Sequence, residues 1–267
     1  MSIIYILLTL LIFTVLVVVH EAGHFAVAKL SGILVEEFSV GMGPIVFSKK
    51  IGETLYSVRA FPMGGFCRMA GEDEESSDSR SFNNKNVFAR MAVVFTGPLM
   101  NFIFAFLAVF IVSSTAASMA FPAVGEVLST SNAVNQGLEK GDKIVKIDNE
   151  KIHDYQELYS ILSTSDGSDL SVTVNRNGEK VDLTITPVLN EAQTGYIIGF
   201  RPVVKTGLFA ESAEGYDKAT FADTVKDSIY TLVYFVKSVV VGFVRLFTLK
   251  LSASDVSGPI GIVQVVG

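Results

Sequence analysis

The run His20-Glu21-Ala22-Gly23-His24 sets two imidazoles one helical turn apart, with a carboxylate beside the first. Residues four apart share a helix face, so both rings can offer a nitrogen to one zinc ion while the glutamate addresses a metal-bound water. Zinc lowers the pKa of such a water to about 7, and Glu21 would take its proton as hydroxide attacks a peptide carbonyl, then pass it to the leaving nitrogen. His20 and His24 are therefore candidate Zn2+ ligands and Glu21 the candidate catalytic base. Two of the chain's three histidines lie in this run.

The element carrying the motif is apolar. Ile3 to Val19 has threonine as its only polar interruption, and with Ala22 to Ala28 it makes a helix long enough to cross a hydrocarbon core of about 30 Å. Ionisable groups inside such a helix cost on the order of 3 kcal/mol each, so three in five residues are hard to explain as packing. A cleaved signal peptide fits poorly, because no positive segment precedes the run and no A-x-A-like site follows it. Met91 to Val112 is a second span, broken only by Thr96, Gly97, Pro98 and Asn101. Lys29, Lys49, Lys50, Arg59, Arg68, Arg80, Lys85 and Arg90 lie between the spans and no Lys or Arg precedes the first. The positive-inside rule then places the amino terminus outside and the 29–90 connection in the cytoplasm. Ile3 to Val19 rises about 25 Å, which sets His20 near the cytoplasmic boundary, where the water that hydrolysis needs has a short path.

Composition agrees with a membrane chain bearing a soluble module. Of 267 residues 49% are hydrophobic, and the mean hydropathy of +0.46 is too high for an ordinary soluble domain. The net charge of -6, with no dense Lys/Arg block, argues against nucleic acid as a partner. Cys67 is the only cysteine, so neither an intrachain disulfide nor a cysteine-based zinc site is available, and it reads as a small buried side chain. Gly71 to Ser81, rich in Glu and Asp, reads as a solvated linker.

From Val124 to about Phe200 the pattern changes to short alternating strands (Val124–Leu128, Lys143–Ile147, Asp169–Arg176, Lys180–Pro187), one helical stretch (Tyr155–Leu162) and an Asn177-Gly178 hairpin signal. This is a soluble domain of about 80 residues. Phe221 to Leu251 is apolar again, but Lys237 and Arg245 divide it, and Asp223, Asp227, Thr231, Tyr234, Ser238, Gly242 and Arg245 form a polar or small-residue stripe. That pattern predicts a helix lying in the membrane interface rather than a third span.

Taken in order, these segments resemble the site-2 protease group of intramembrane metalloproteases, in its bacterial branch with an extracytoplasmic PDZ insertion. The resemblance rests on His20-Glu21-Ala22-Gly23-His24, Gly41-Met42-Gly43-Pro44, Pro62-Met63-Gly64-Gly65, Gly97-Pro98-Leu99-Met100-Asn101, the PDZ-like run Ala133 to Ile144 with Tyr196-Ile197-Ile198-Gly199-Phe200, and Ser257-Gly258-Pro259-Ile260-Gly261. It implies an α-helical polytopic membrane protein with a membrane-re-entrant β-hairpin and an inserted α+β PDZ-like domain. The expected divisions are a first transmembrane helix (1–30), hairpin and acidic linker (31–90), second transmembrane helix (91–119), extracytoplasmic PDZ-like domain (120–203), and a linker, interfacial helix and Ser-Gly-Pro-Ile-Gly segment (204–267). The third zinc ligand of that group is an aspartate in an Asn-x-x-Pro-x-Pro-x-Leu-Asp-Gly pattern, expected beyond Gly267, so this piece is expected to be inactive alone. Asp255, Glu36 and Glu37 are the alternatives inside the chain.

A peptide bond in a helix is shielded by its own turn, so a transmembrane substrate must be held extended. Ile45–Ser48 and Thr54–Ala60, turning at Gly52, read as a hairpin whose free edge could add the substrate as a strand. Gly41, Gly43 and Asn101 are the expected substrate-binding residues, with Asn101 bonding either the first helix or substrate backbone. The expected partners are single-span membrane proteins (an anti-sigma factor or a remnant signal peptide), a peptide or free carboxyl terminus at the PDZ groove, and the lipid bilayer of the bacterial inner or plasma membrane. His153 reads as a surface residue. The competing reading is a non-enzymatic membrane-anchored PDZ adaptor in which the histidine motif is incidental.

Overall fold

A computed structural model describes residues 3–72, 74, 76–128, 133–189, 196–211 and 215–248. Asp255 and the Ser257–Gly261 segment lie outside them. The chain divides into two compact units, one formed by residues 1–105 with 245–267, the other by residues 106–244.

In the first unit, α1 (Ile3–Leu30) leads into a long antiparallel hairpin of β1 (Val35–Ile51) and β2 (Thr54–Met69), after which α2 (Val87–Thr115) begins. The strands extend well beyond the two short segments expected from periodicity. They absorb the glycine-rich stretches through repeated register shifts, with Gly41, Gly43 and Gly64 at positive φ, where a residue without Cβ carries little strain. Ile51 pairs with Thr54, so Gly52-Glu53 makes the reversal. A small core joins α1, the base of the hairpin and α2 through Ala28, Ile33, Val35, Cys67, Met69 and Val93. Cys67 is buried there, as expected. Farther along the hairpin Met42, Val46, Phe47, Ile51 and Phe61 are exposed, an apolar surface that water would not favour.

Glu37 is the charged anchor of the hairpin. Only 2% exposed, it accepts hydrogen bonds from Ser57 Oγ (2.7 Å), Arg59 (2.7 Å) and Arg68 (3.1 Å). Arg59 also donates to the carbonyl of Gly43 at 2.7 Å. Glu36 faces Arg68 at 3.3 Å. Both carboxylates thus face arginines.

The second unit contains a sheet in the order β11-β10-β3-β4-β6-β7, with β5 paired to β4. Its strands are β3 (Met119–Val127), β4 (Lys143–Ile147), β5 (Glu150–Lys151), β6 (Leu170–Arg176), β7 (Glu179–Ile185), β10 (Phe200–Thr206) and β11 (Asp217–Lys218). A separate two-stranded ladder joins β8 (Val188–Leu189) to β9 (Tyr196–Ile197). Helix α3 (Tyr155–Ser163), capped by Asp154 accepting from the N–H of Glu157, covers a core that includes Ile144, Ile147, Leu158, Val172, Val174 and Ile185. Asn177 and Gly178, at φ 53° and 96°, form the two-residue turn between β6 and β7.

Helix α4 (Phe221–Phe247) closes the described chain. Its residues Phe221–Val244 are long and apolar enough to cross a membrane by length and composition, as are α1 and α2. Lys237 therefore does not shorten the apolar stretch below spanning length. Four polar side chains of α4 are engaged by its own unit: Asp223 by Lys205 (2.8 Å), Asp227 by Ser113 (2.8 Å), Lys237 by Glu157, and Tyr230 by the stacked ring of His153 (centroids 4.9 Å apart). His153 is consequently no free surface residue, since it also bonds Glu157 at 3.0 Å. Val239, Val240, Phe243 and Val244 are exposed.

Candidate metal centre

α1 and α2 meet through small residues. A Cβ on Gly23 would stand 2.7 Å from the carbonyl oxygen of Thr96 and 2.8 Å from Cγ of Met100, so only glycine permits this approach. The contact brings the motif face of α1 against Gly97 of α2. Nε2 of His20 and Nε2 of His24 lie 3.1 Å apart. Two nitrogens bound tetrahedrally to one zinc at about 2.05 Å would stand about 3.3 Å apart, so the pair already has the spacing of two ligands. A Cβ on Gly97 would fall 2.5 Å from Nε2 of His24 and 2.7 Å from Nε2 of His20. The missing side chain leaves a cradle beside both nitrogens, and the two histidines fit as two of the ligands of a zinc ion.

The remaining ring atoms are also placed. Nδ1 of His24 lies 2.7 Å from the carbonyl oxygen of Val93 on α2, and Nδ1 of His20 lies 3.3 Å from the side-chain amide of Asn101. Outer hydrogen bonds of this kind fix ring orientation in metal sites. Glu21 points toward the hairpin, where Oε2 accepts the N–H of Cys67 at 3.0 Å. Thr14 donates to the carbonyl of Pro62, tying α1 to β2 a second time. A cavity of about 330 Å³ lies beside the carboxylate, lined by Glu21, His24, Phe66 to Met69 and Glu72.

Of the residues singled out from the sequence, His20, Glu21, His24 and Asn101 come together. Gly41 and Gly43 sit in β1 opposite β2, where added Cβ atoms would meet the Phe61 carbonyl and the Phe61 ring, each at 2.5 Å. Among the described residues no group of three or more His, Cys, Asp or Glu is placed to hold a metal. Glu36 and Glu37, weighed as third ligands, face arginines in the hairpin, Glu36 at an exposed pair with Arg68 and Glu37 buried against Arg59 and Arg68. Sequence reasoning singled out Gly97 as a small residue of the second span but did not set it beside the histidines, and it did not reach the Val93 carbonyl or the Cys67 N–H. The last two are backbone groups without a side-chain signal, and Gly97 could have been placed by asking which small residue of the second span faces Gly23.

Two histidines and a carboxylate thus stand on one apolar helix, between a second such helix and a β-hairpin, in a chain with three helices long and apolar enough to cross a membrane. Residues 8–267 match the model of peptidase family M50, and the chain belongs to that family. It is 35% identical over 267 residues to a Clostridium acetobutylicum protein assigned as a zinc metalloprotease, covering 100% of this chain and 75% of that one. A similarly assigned Clostridium perfringens protein is 38% identical over 266 residues, covering 98% and 75%. Zinc metalloprotease RasP of Geobacillus kaustophilus is 25% identical over 342 residues, covering 97% and 78%. Among solved structures, the PDZ domain of an SdrC-like protein from Listeria monocytogenes matches with a TM-score of 0.28 and 20% identity, covering 30% of this chain and 85% of that domain.

Proposed function

We propose that this protein is an intramembrane zinc metalloprotease that hydrolyses peptide bonds in the transmembrane segments of other membrane proteins. The observation that carries the reading is the convergence of the His20 and His24 Nε2 atoms over Gly97, 3.1 Å apart, on an apolar helix. Zinc, when bound, supplies a Lewis acid that polarises the scissile carbonyl and makes water nucleophilic near neutral pH. Glu21 is the base that receives the water's proton and returns it to the leaving nitrogen. Its Oε1 is not the oxygen committed to Cys67, and the neighbouring cavity gives water a route to the carboxylate.

The hairpin handles the substrate. Cys67 donates its N–H to Glu21, which sets the base beside β2, the strand to which an extended substrate would be added. Exposed apolar residues along the hairpin suit a membrane-re-entrant position. Gly41 and Gly43 keep the paired strands close where a side chain would part them. The amino terminus and the PDZ-like unit lie outside the cytoplasm and the 29–90 connection inside, in a bacterial plasma membrane. The PDZ-like unit takes an extended peptide or a carboxyl terminus, and the substrates are single-span proteins of the anti-sigma or remnant signal peptide type.

Glu21→Gln keeps the side-chain shape and removes the base. In cells expressing the full-length protein with a single-span substrate, this variant should insert and accumulate normally while cleavage falls by at least about 100-fold. Substrate turnover at the wild-type rate would refute the mechanism.

A further inference from the structure

The two histidines are held by different partners. His24 faces the Val93 carbonyl, which only accepts, so its Nδ1 carries the proton and its Nε2 presents a lone pair to the cradle. His20 faces Nδ2 of Asn101 at 3.3 Å, while Oδ1 of the same amide is buried without a partner. An amide donating to Nδ1 would put the His20 proton on Nε2, aimed at His24 Nε2 and useless for a metal. The oxygen and nitrogen of an amide have the same shape, and the surrounding hydrogen bonds decide which is which. With Oδ1 turned to His20, the orphaned acceptor gains a donor. The ring is then bound as in His24, and both Nε2 lone pairs face the space over Gly97.

We propose that Asn101 is a positioning residue for the zinc ligand His20, its Oδ1 accepting the Nδ1–H so that Nε2 is held unprotonated toward the metal. The proposal rests on the zinc reading above and gives Asn101 a task other than substrate contact. It also explains why a single amide is retained in an apolar span, where it is costly unless bonded. Helix α2 then serves both ligands, through the Val93 backbone for one and the Asn101 side chain for the other.

The test is the affinity of the full-length protein in detergent for Zn2+, measured by competition with a chelator, in the wild type, His20→Ala, Asn101→Leu and Asn101→Asp. Loss of an outer hydrogen bond to a metal-bound histidine costs about 10- to 100-fold in affinity, and that is the loss expected for Asn101→Leu, with an unchanged melting temperature. Asn101→Asp keeps an acceptor for the same Nδ1–H and should stay within a few-fold of wild type. Asn101→Ala supplies the same reading if the leucine variant does not accumulate. Equal losses in the leucine and aspartate variants would overturn the proposal in favour of packing. Unchanged zinc affinity with a raised KM in Asn101→Leu would overturn it in favour of substrate contact. A wild type that holds no zinc, or a His20→Ala variant that keeps it, would overturn the metal reading itself.

Discussion

Gly97→Ala places one methyl group where the metal should sit. In an α-helix interior this exchange favours folding by about 1 kcal/mol, so an effect on zinc cannot be ascribed to a weaker helix. The new Cβ would stand 2.5 Å from Cε1 and Nε2 of His24, whereas an ordinary contact begins at 3.4 Å. The ring or the helix must therefore yield by 0.9 Å. Metal sites tolerate ligand displacements of about 0.2 Å, so the strain falls on the zinc centre. Overpacking of this kind costs about 1–3 kcal/mol, which is about 5- to 150-fold in affinity. Chelator competition on the purified full-length protein reads the loss, and proteolysis should fall with it. Gly242→Ala, in α4 with no heavy atom within 4 Å of the added Cβ, should leave zinc unchanged. Wild-type zinc affinity in Gly97→Ala would show that the two histidines do not converge over this residue.

Other consequences follow from the same structure. A cysteine at Ser76 should be protected from an impermeant thiol reagent in intact cells and one at Asn177 labelled, each in a Cys67→Ser background; the reverse pattern would invert the proposed topology. Arg59→Ala removes partners of the buried Glu37 and of the Gly43 carbonyl, so about 3 kcal/mol of local stability should be lost from the hairpin, read as faster hydrogen exchange of β1 and β2 amides. In the second unit, burial alone would raise the Asp142 carboxyl, but hydrogen bonds from Arg176 and the Glu139 N–H, with the Arg176 charge, outweigh it and hold the group below its ordinary 3.8. A depressed carboxylate stabilises the fold above its unfolded pKa, so exchange protection of Ile144, Val172 and Val174 should be full near neutral pH and decline as pH falls below about 4. Arg176→Met should abolish that acid dependence.

The parts that could be read in the sequence are those governed by local rules. The histidine spacing, the apolar spans, the Asn177-Gly178 turn and the reversal at Gly52 depend on residues adjacent in the chain. What escaped depends on contacts between distant segments. The hairpin strands run much farther than alternation suggests because glycines at positive φ and register shifts carry pairing through stretches that look irregular. The partners of the α4 polar stripe were likewise out of reach: Asp223, Asp227, Tyr230 and Lys237 meet Lys205, Ser113, His153 and Glu157. Gly97 and Val93 enter the centre only because Gly23 lets α2 approach α1, a fact of packing that neither helix reveals by itself.

Metal held by His20 and His24 is the centre of the proposed chemistry. Zinc-edge X-ray absorption of the purified full-length protein, dialysed against a mild chelator, should show about one zinc per chain with imidazole nitrogens at about 2.0–2.1 Å and no sulfur neighbour. The signal should vanish in His20→Ala and in His24→Ala while surviving in Glu21→Gln. Zinc ligated by sulfur, or zinc retained when either histidine is removed, would contradict it.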